Sequence, residues 1–123
     1  MLSDNINDNY EIFIQEVVAK GVAYTLKGSE GYVVVASEKF PDGEVIPFWS
    51  SEESAQAVCV DDWSDYEVEA ISIEGFVEEW LEGMHEDELL VGPNWTEDLE
   101  GLEIEPLVVA DEIDNLLDEI ELD

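Results

Sequence analysis

Carboxylates are the reactive groups this chain holds in excess. Thirty-four Asp and Glu face three Lys and no Arg, a formal net charge of −31 over 123 residues. Paired carboxylates can perform acid–base chemistry, but one of the pair must be buried to shift its pKa. Here they recur on the polar side of helical apolar patterns: Glu74, Glu78, Glu79 and Glu82 on one segment, Asp111, Glu112, Asp114, Asp118 and Glu119 on another. That placement reads as solvated faces. Cys59 and His85 are the one cysteine and the one histidine. A Cys–His nucleophile needs the two to meet. Cys59 lies in the apolar run Ala57-Val58-Cys59-Val60 and reads as a core residue, whereas His85 ends a helical pattern beside Glu82 and Glu86, where dipole and neighbours favour a cation. One His and one Cys make no usual zinc set. The run Asp61-Asp62-Trp63-Ser64-Asp65-Tyr66-Glu67 offers oxygen ligands at alternate positions but lacks the Gly and terminal Glu of an EF-hand loop. No Gly-rich loop leads into a Lys, and no Arg can clamp a phosphoryl group, which disfavours nucleotide chemistry. The expectation is no catalytic residue, no metal and no cofactor.

The tryptophans are the other groups with binding chemistry. Trp49 and Trp95 each lie at a strand end close to a proline, which makes them candidates for a small-ligand cleft as well as for packing. The segments around them echo each other. Pro47-Phe48-Trp49-Ser50-Ser51-Glu52 resembles Pro93-Asn94-Trp95-Thr96-Glu97-Asp98, and in each a strand runs into a hydroxyl residue followed by acids.

The elements that must position these groups follow from periodicity. Ile6, Tyr10, Phe13, Ile14 and Val17 recur at helical spacing, with Ser3 as a cap, Lys20 in the last turn and Gly21 at the C′ position. Val22 to Leu26 and Tyr32 to Ala36 read as a β-hairpin. A turn at Pro41-Asp42-Gly43 leads to a third strand, Glu44 to Trp49, which Pro47 places at an edge or a strand end. Ser50 or Ser51 caps a short helix with body Ala55 to Val60, and Glu67 to Ile71 alternates as a strand. Ser72 caps the clearest helix, whose apolar positions Ile73, Phe76, Val77, Trp80, Leu81 and Met84 keep a 3.6-residue period. Short strands at Leu89 to Val91 and Leu102 to Ile104 precede a last helix opened by Pro106, with Val109, Ile113, Leu116, Leu117 and Ile120 inward. This order predicts an α+β fold: a mostly antiparallel sheet of five or six strands with about four helices packed on it. Residues 1–123 read as a single domain with an acidic tail over about 118–123.

Charge distribution narrows the function. Residues 1–39 hold six acids and all three lysines, while residues 40–123 hold 28 acids and no basic side chain except His85. A phosphate-binding surface needs Lys and Arg, so direct nucleic-acid binding is excluded, and docking on an anionic membrane is disfavoured. Chains of such charge are usually disordered, but 46% apolar residues, with four Trp, four Tyr and four Phe, argue for a packed interior. The N-terminus carries no basic segment or long apolar run, so a cytoplasmic protein is expected. Like-charge repulsion favours a monomer or a weak dimer.

The segment Val45-Ile46-Pro47-Phe48-Trp49-Ser50-Ser51-Glu52-Glu53-Ser54-Ala55 resembles a bacterial family known as domain of unknown function 2750. Ile71-Ser72-Ile73-Glu74-Gly75-Phe76-Val77-Glu78-Glu79-Trp80-Leu81, Val91-Gly92-Pro93-Asn94-Trp95 and Glu105-Pro106-Leu107 continue the likeness, which covers about residues 8–117. These are packing and turn motifs. The resemblance implies a fold and no activity, cofactor or catalytic residue.

Three classes of function follow. The first is a non-enzymatic interaction module whose acidic face meets a basic protein, such as a DNA-binding protein or a nuclease, in the manner of a DNA mimic or an immunity protein. Glu74, Glu78, Glu82 and Glu86 form an i, i+4 row spaced about 6 Å apart along a helix, and Asp111, Asp114 and Asp118 form a second acidic face. The second class treats the acidity as solvation or salt adaptation, without partners. The third is a small-ligand binder or enzyme with a cleft of carboxylates around Trp49 and Trp95.

Overall fold

The computed structural model describes residues 6–29, 31–37, 43–59, 63–95 and 101–122. The expected cap Ser3, the turn residues Pro41 and Asp42, the acids Asp61 and Asp62, and the end of the tail at Asp123 lie outside them.

Helix α1 spans Ile6–Lys20. It stops where expected: Gly21 adopts φ +72°, and its N–H donates to the Val17 carbonyl (2.8 Å). Strand β1 (Val22–Gly28) turns into β2 (Gly31–Tyr32), and the chain then continues as β3 (Val35–Ala36) and β4 (Glu44–Phe48). Ser51 caps α2 (Glu52–Ala57), accepting from the Ser54 N–H at 3.1 Å. The helix ends at Ala57, earlier than the run to Val60 suggested, because Val58 already closes its last turn. Strand β5 (Glu67–Ser72) leads through the cap Ser72 into α3, a helix over residues 73–86. Strand β6 is Leu89–Pro93, and α4 runs Pro106–Leu122.

The fold class is α+β with four helices, but the six strands do not make one mostly antiparallel sheet. They form two sheets of three, ordered β2-β1-β5 and β3-β4-β6. The division arises within the second hairpin strand. Val33 donates to the Leu26 carbonyl of β1 (3.0 Å), but two residues later Val35 pairs with Val45 of β4. The chain thus leaves one sheet for the other. Tyr24 and Trp49 close the gap, exchanging backbone hydrogen bonds of 2.8 and 2.7 Å. One pair, β4 with β6, is parallel. The expected strand at 102–104 is reduced to a single antiparallel bridge, Val91 with Ile104.

Pro47 is not at a sheet edge, since β4 is the centre of its sheet, but it stands one residue from the strand's end, the other position expected of it. Val45 pairs with β3 and Trp49 with β1, both on one side of β4, while Phe48 accepts from Asn94 on the β6 side. Pro47 points to the same side as Val45 and Trp49, in the gap between two pairings, where no ladder needs its N–H. Its carbonyl there accepts from the buried Thr25 hydroxyl (2.9 Å).

β4 is buried on both faces, as central parallel strands are. Ile46 and Phe48 pack with Phe13, Val17, Phe76, Leu81, Val109 and Ile113 beneath α1, α3 and α4. Val45 and Trp49 pack on the other side with Leu26, Val33, Ala55, Val58 and Trp95. The sheet therefore separates two apolar clusters, and only the first carries long helices.

Within α3, residues Phe76–Leu81 form a π-helical segment. The 3.6-residue pattern did not anticipate it. Its signature is the fully buried pair Phe76 and Leu81, five residues apart, which an i→i+5 turn brings onto one face.

Candidate functional site

Three places could carry function: the strand ends at Trp49 and Trp95, the Cys59 and His85 side chains, and the carboxylate faces of α3 and α4.

At the strand ends the two motifs do meet, because β4 and β6 are parallel neighbours in register, Pro47 opposite Gly92 and Phe48 opposite Pro93. Among the described residues, the two indoles pack into the space between these strand ends. Trp49 is fully buried and Trp95 nearly so. The Trp49 indole N–H donates to the Trp95 carbonyl, and the Trp95 indole N–H to the Leu102 carbonyl, each at 2.9 Å. Gly92 and Gly101 let the Trp95 ring lie against the backbone. A Cβ at Gly92 would stand 2.5 Å from Trp95 Cε2, and one at Gly101 would collide with Cδ1.

Around the indoles lies a polar cluster that residue-type arguments missed. Asn94 is buried at φ +45°. Its Oδ1 accepts from the Ser50 N–H (2.8 Å), and its Nδ2 donates to Ser50 Oγ (2.9 Å) and to the Asn9 carbonyl (3.2 Å). Ser50 Oγ donates to Glu16 Oε1 at 2.5 Å, and Glu16 in turn holds Lys20 at 3.6 Å. A hydroxyl beside a carboxylate resembles an activated nucleophile in composition. Yet Ser50 is 1% exposed, so a substrate carbon has no approach to it. The cluster is a clamp joining α1 to the ends of β4 and β6. The signal that could have found it was the echo between the two Pro-containing segments.

Cys59 and His85 stand in different surroundings. Cys59 packs against the cluster of Trp49, its S–H directed at the Ala55 carbonyl (3.6 Å), and burial pushes its thiol pKa up, away from thiolate chemistry. His85 is exposed at the end of α3, in a groove of 560 Å³ shared with Glu86, Glu88, Leu89, Leu90, Glu105 and Pro106. Among the described residues, no group of three or more His, Cys, Asp or Glu is placed to hold a metal ion.

The acids of α3 and α4 whose side chains are described face solvent: Glu74, Glu78, Glu82 and Glu86 on the first, Asp111, Asp114 and Asp118 on the second, with Glu79, Asp87, Glu112 and Glu119 beside them. The two helices pack on each other and on the same core. Their residues carry no Lys or Arg, and the one ion pair among the described residues, Lys20 with Glu16, is on α1. The α3 row is not a straight line, however. The π segment adds a residue to the turn between Glu78 and Glu82, which rotates the later pair by up to about 100°, the angle of one helical residue.

A family model for proteins of unknown function, DUF2750, matches residues 10–113. That span contains Glu16, Ser50 and Asn94 of the clamp, Trp49 and Trp95, and all of α3. The chain belongs to the DUF2750 family. The Pro-Phe-Trp-Ser and Gly-Pro-Asn-Trp segments, where the resemblance was seen, contain residues that lock β4 to β6. No curated protein matches the chain. Among the described residues, no helix of this DUF2750 member is long and apolar enough to cross a membrane.

Proposed function

We propose that this DUF2750 protein is a non-enzymatic interaction module that binds a basic protein through the exposed carboxylates of α3 and α4. The supporting observation is the exposure of every described acid on those two packed helices, in a stretch of chain without Lys or Arg. Such a surface repels anions, speeds encounter with cations and selects against acidic partners. The polar clusters that could suggest an enzyme are spent on internal hydrogen bonds. A strict DNA mimic needs evenly spaced charge along its rows, and the rotation within α3 removes that regularity. The reading is therefore a basic protein surface, such as that of a DNA-binding protein or a nuclease, without imitation of the duplex.

The test is capture from a lysate of cells that make the protein, with the partners identified by mass spectrometry. The expected result is recovery of one or a few basic proteins at low salt and their release at high salt. Recovery of no basic protein contradicts the proposal and leaves the acidity as solvation alone.

A further inference from the structure

The π segment builds a second feature on α3. Trp80 lies in it, half-buried, with Tyr32 edge-on at 4.5 Å and Phe48 edge-on at 5.6 Å between ring centroids. Beside Trp80 the surface dips into a shallow, open hollow of 260 Å³, lined by Ile46, Trp80, Met84 and Leu89, with Gly83 and the carboxylates of Glu79 and Asp87. Ile46 and Met84 are almost fully buried, and Glu79 and Asp87 are exposed. Neither carboxylate makes an ion pair among the described residues. Lys27 sits over Tyr32, 5.3 Å from its ring centroid.

We propose that this hollow is a socket for an arginine side chain of a basic partner, an inference that deepens the function proposed above and rests on it. The volume falls just short of the roughly 300–1,000 Å³ of small-molecule sites, which fits one side chain better than a cofactor. An apolar floor suits the methylene stem of a long basic residue, whose charged head stays in water at the mouth. Two carboxylates line the hollow, four residues before and four residues after Gly83, and donors spread across a plane suit two acceptors better than a single point charge does. A guanidinium carries five such donors, stacks on indole and is more weakly hydrated than an ammonium, so it crosses onto an apolar floor at lower cost. Gly83 brings no side chain to the hollow; a Cβ there would meet nothing within 4 Å.

The probe is a short Gly/Ser peptide with one central arginine, titrated into the full chain by NMR. Matched peptides carry citrulline or lysine at that position. The arginine peptide is expected to shift the Trp80 indole N–H and the Met84 methyl first. Loss of two charge-assisted hydrogen bonds should weaken it by about tenfold or more in the E79Q/D87N variant, and citrulline should bind as weakly to the wild type. Lysine should fall between. A variant with Asp111, Asp114 and Asp118 changed to Asn should keep the Trp80 response. Equal shifts from arginine and citrulline, or shifts centred on α4, overturn the socket. The two proposals fail separately: a captured partner whose binding is indifferent to E79Q/D87N overturns the socket alone, whereas absence of any basic partner overturns the interaction module whatever the peptide does.

Discussion

Asn94 does more than any other single polar side chain described here. It holds a left-handed backbone, which Asn tolerates better than most residues, and spends both ends of its amide on Ser50 and Asn9. N94A removes those bonds, leaves the Ser50 N–H buried, and puts a Cβ-only residue at positive φ; the expected loss is about 2–4 kcal/mol in urea unfolding. N94G, which relieves the backbone but not the bonds, should recover part of that. Tyr10 makes the opposite case. Its hydroxyl is shielded from solvent without a hydrogen bond of normal geometry, and burial, with the neighbouring Glu112 carboxylate second, raises its pKa above the ordinary 10.0. The unfolded chain gives up this proton first, so the contribution is intact below about pH 10 and stability falls as the pH rises further. Y10F is expected to hold or gain up to about 1 kcal/mol at neutral pH and to flatten the alkaline decline. Unfolding of both proteins near pH 7 and near pH 10.5 checks the difference.

At the scale of elements, helix caps, strand positions and the α+β class were legible because each depends on local chemistry: Gly21 after Lys20, Ser51 before two acids, Ser72 before Ile73, Pro106 at a first turn. Three features were not. The division into two sheets depends on where the strand after β1 parts from it, between Val33 and Val35, and no local pattern marks that point. Pro47 in a central strand is permitted by a gap between pairings that exists only in three dimensions. The π segment hides because Ile73, Phe76, Val77, Trp80, Leu81 and Met84 fit an ordinary helix, although the two best-buried of the first five are five apart. The site was legible as composition, not as shape: the acids face water as expected, while Trp49 and Trp95 are packing groups and Trp80 lines the hollow. The turn from α3 to β6 gives an element-level prediction. Glu88 is held at φ +61°, where its N–H closes the helix on the His85 carbonyl (3.2 Å). A left-handed non-Gly residue costs about 1–2 kcal/mol. E88G should therefore raise the unfolding free energy, by about 0.5–1 kcal/mol after the added chain entropy of Gly.

For the whole molecule, charge governs both stability and association. With −31 on 123 residues, self-repulsion opposes the compact state and is screened by salt, since the Debye length falls from about 30 Å at 0.01 M to about 8 Å at physiological strength. The melting temperature should rise over that interval of NaCl, and a fall would show that repulsion does not limit stability. Association divides the same charge differently, because a partner feels one face and not the total. The decisive measurement compares two variants of equal net charge in the capture experiment. One neutralises Glu74, Glu78, Glu82 and Glu86 to Gln and Asp111, Asp114 and Asp118 to Asn. The other amidates Glu11, Glu44, Glu52, Glu53, Asp65, Glu67 and Glu69, none of which is on α3 or α4. The first should lose the basic partner that wild type retains at low salt, and the second should keep it; equal retention or equal loss by the two variants would contradict a binding face on α3 and α4.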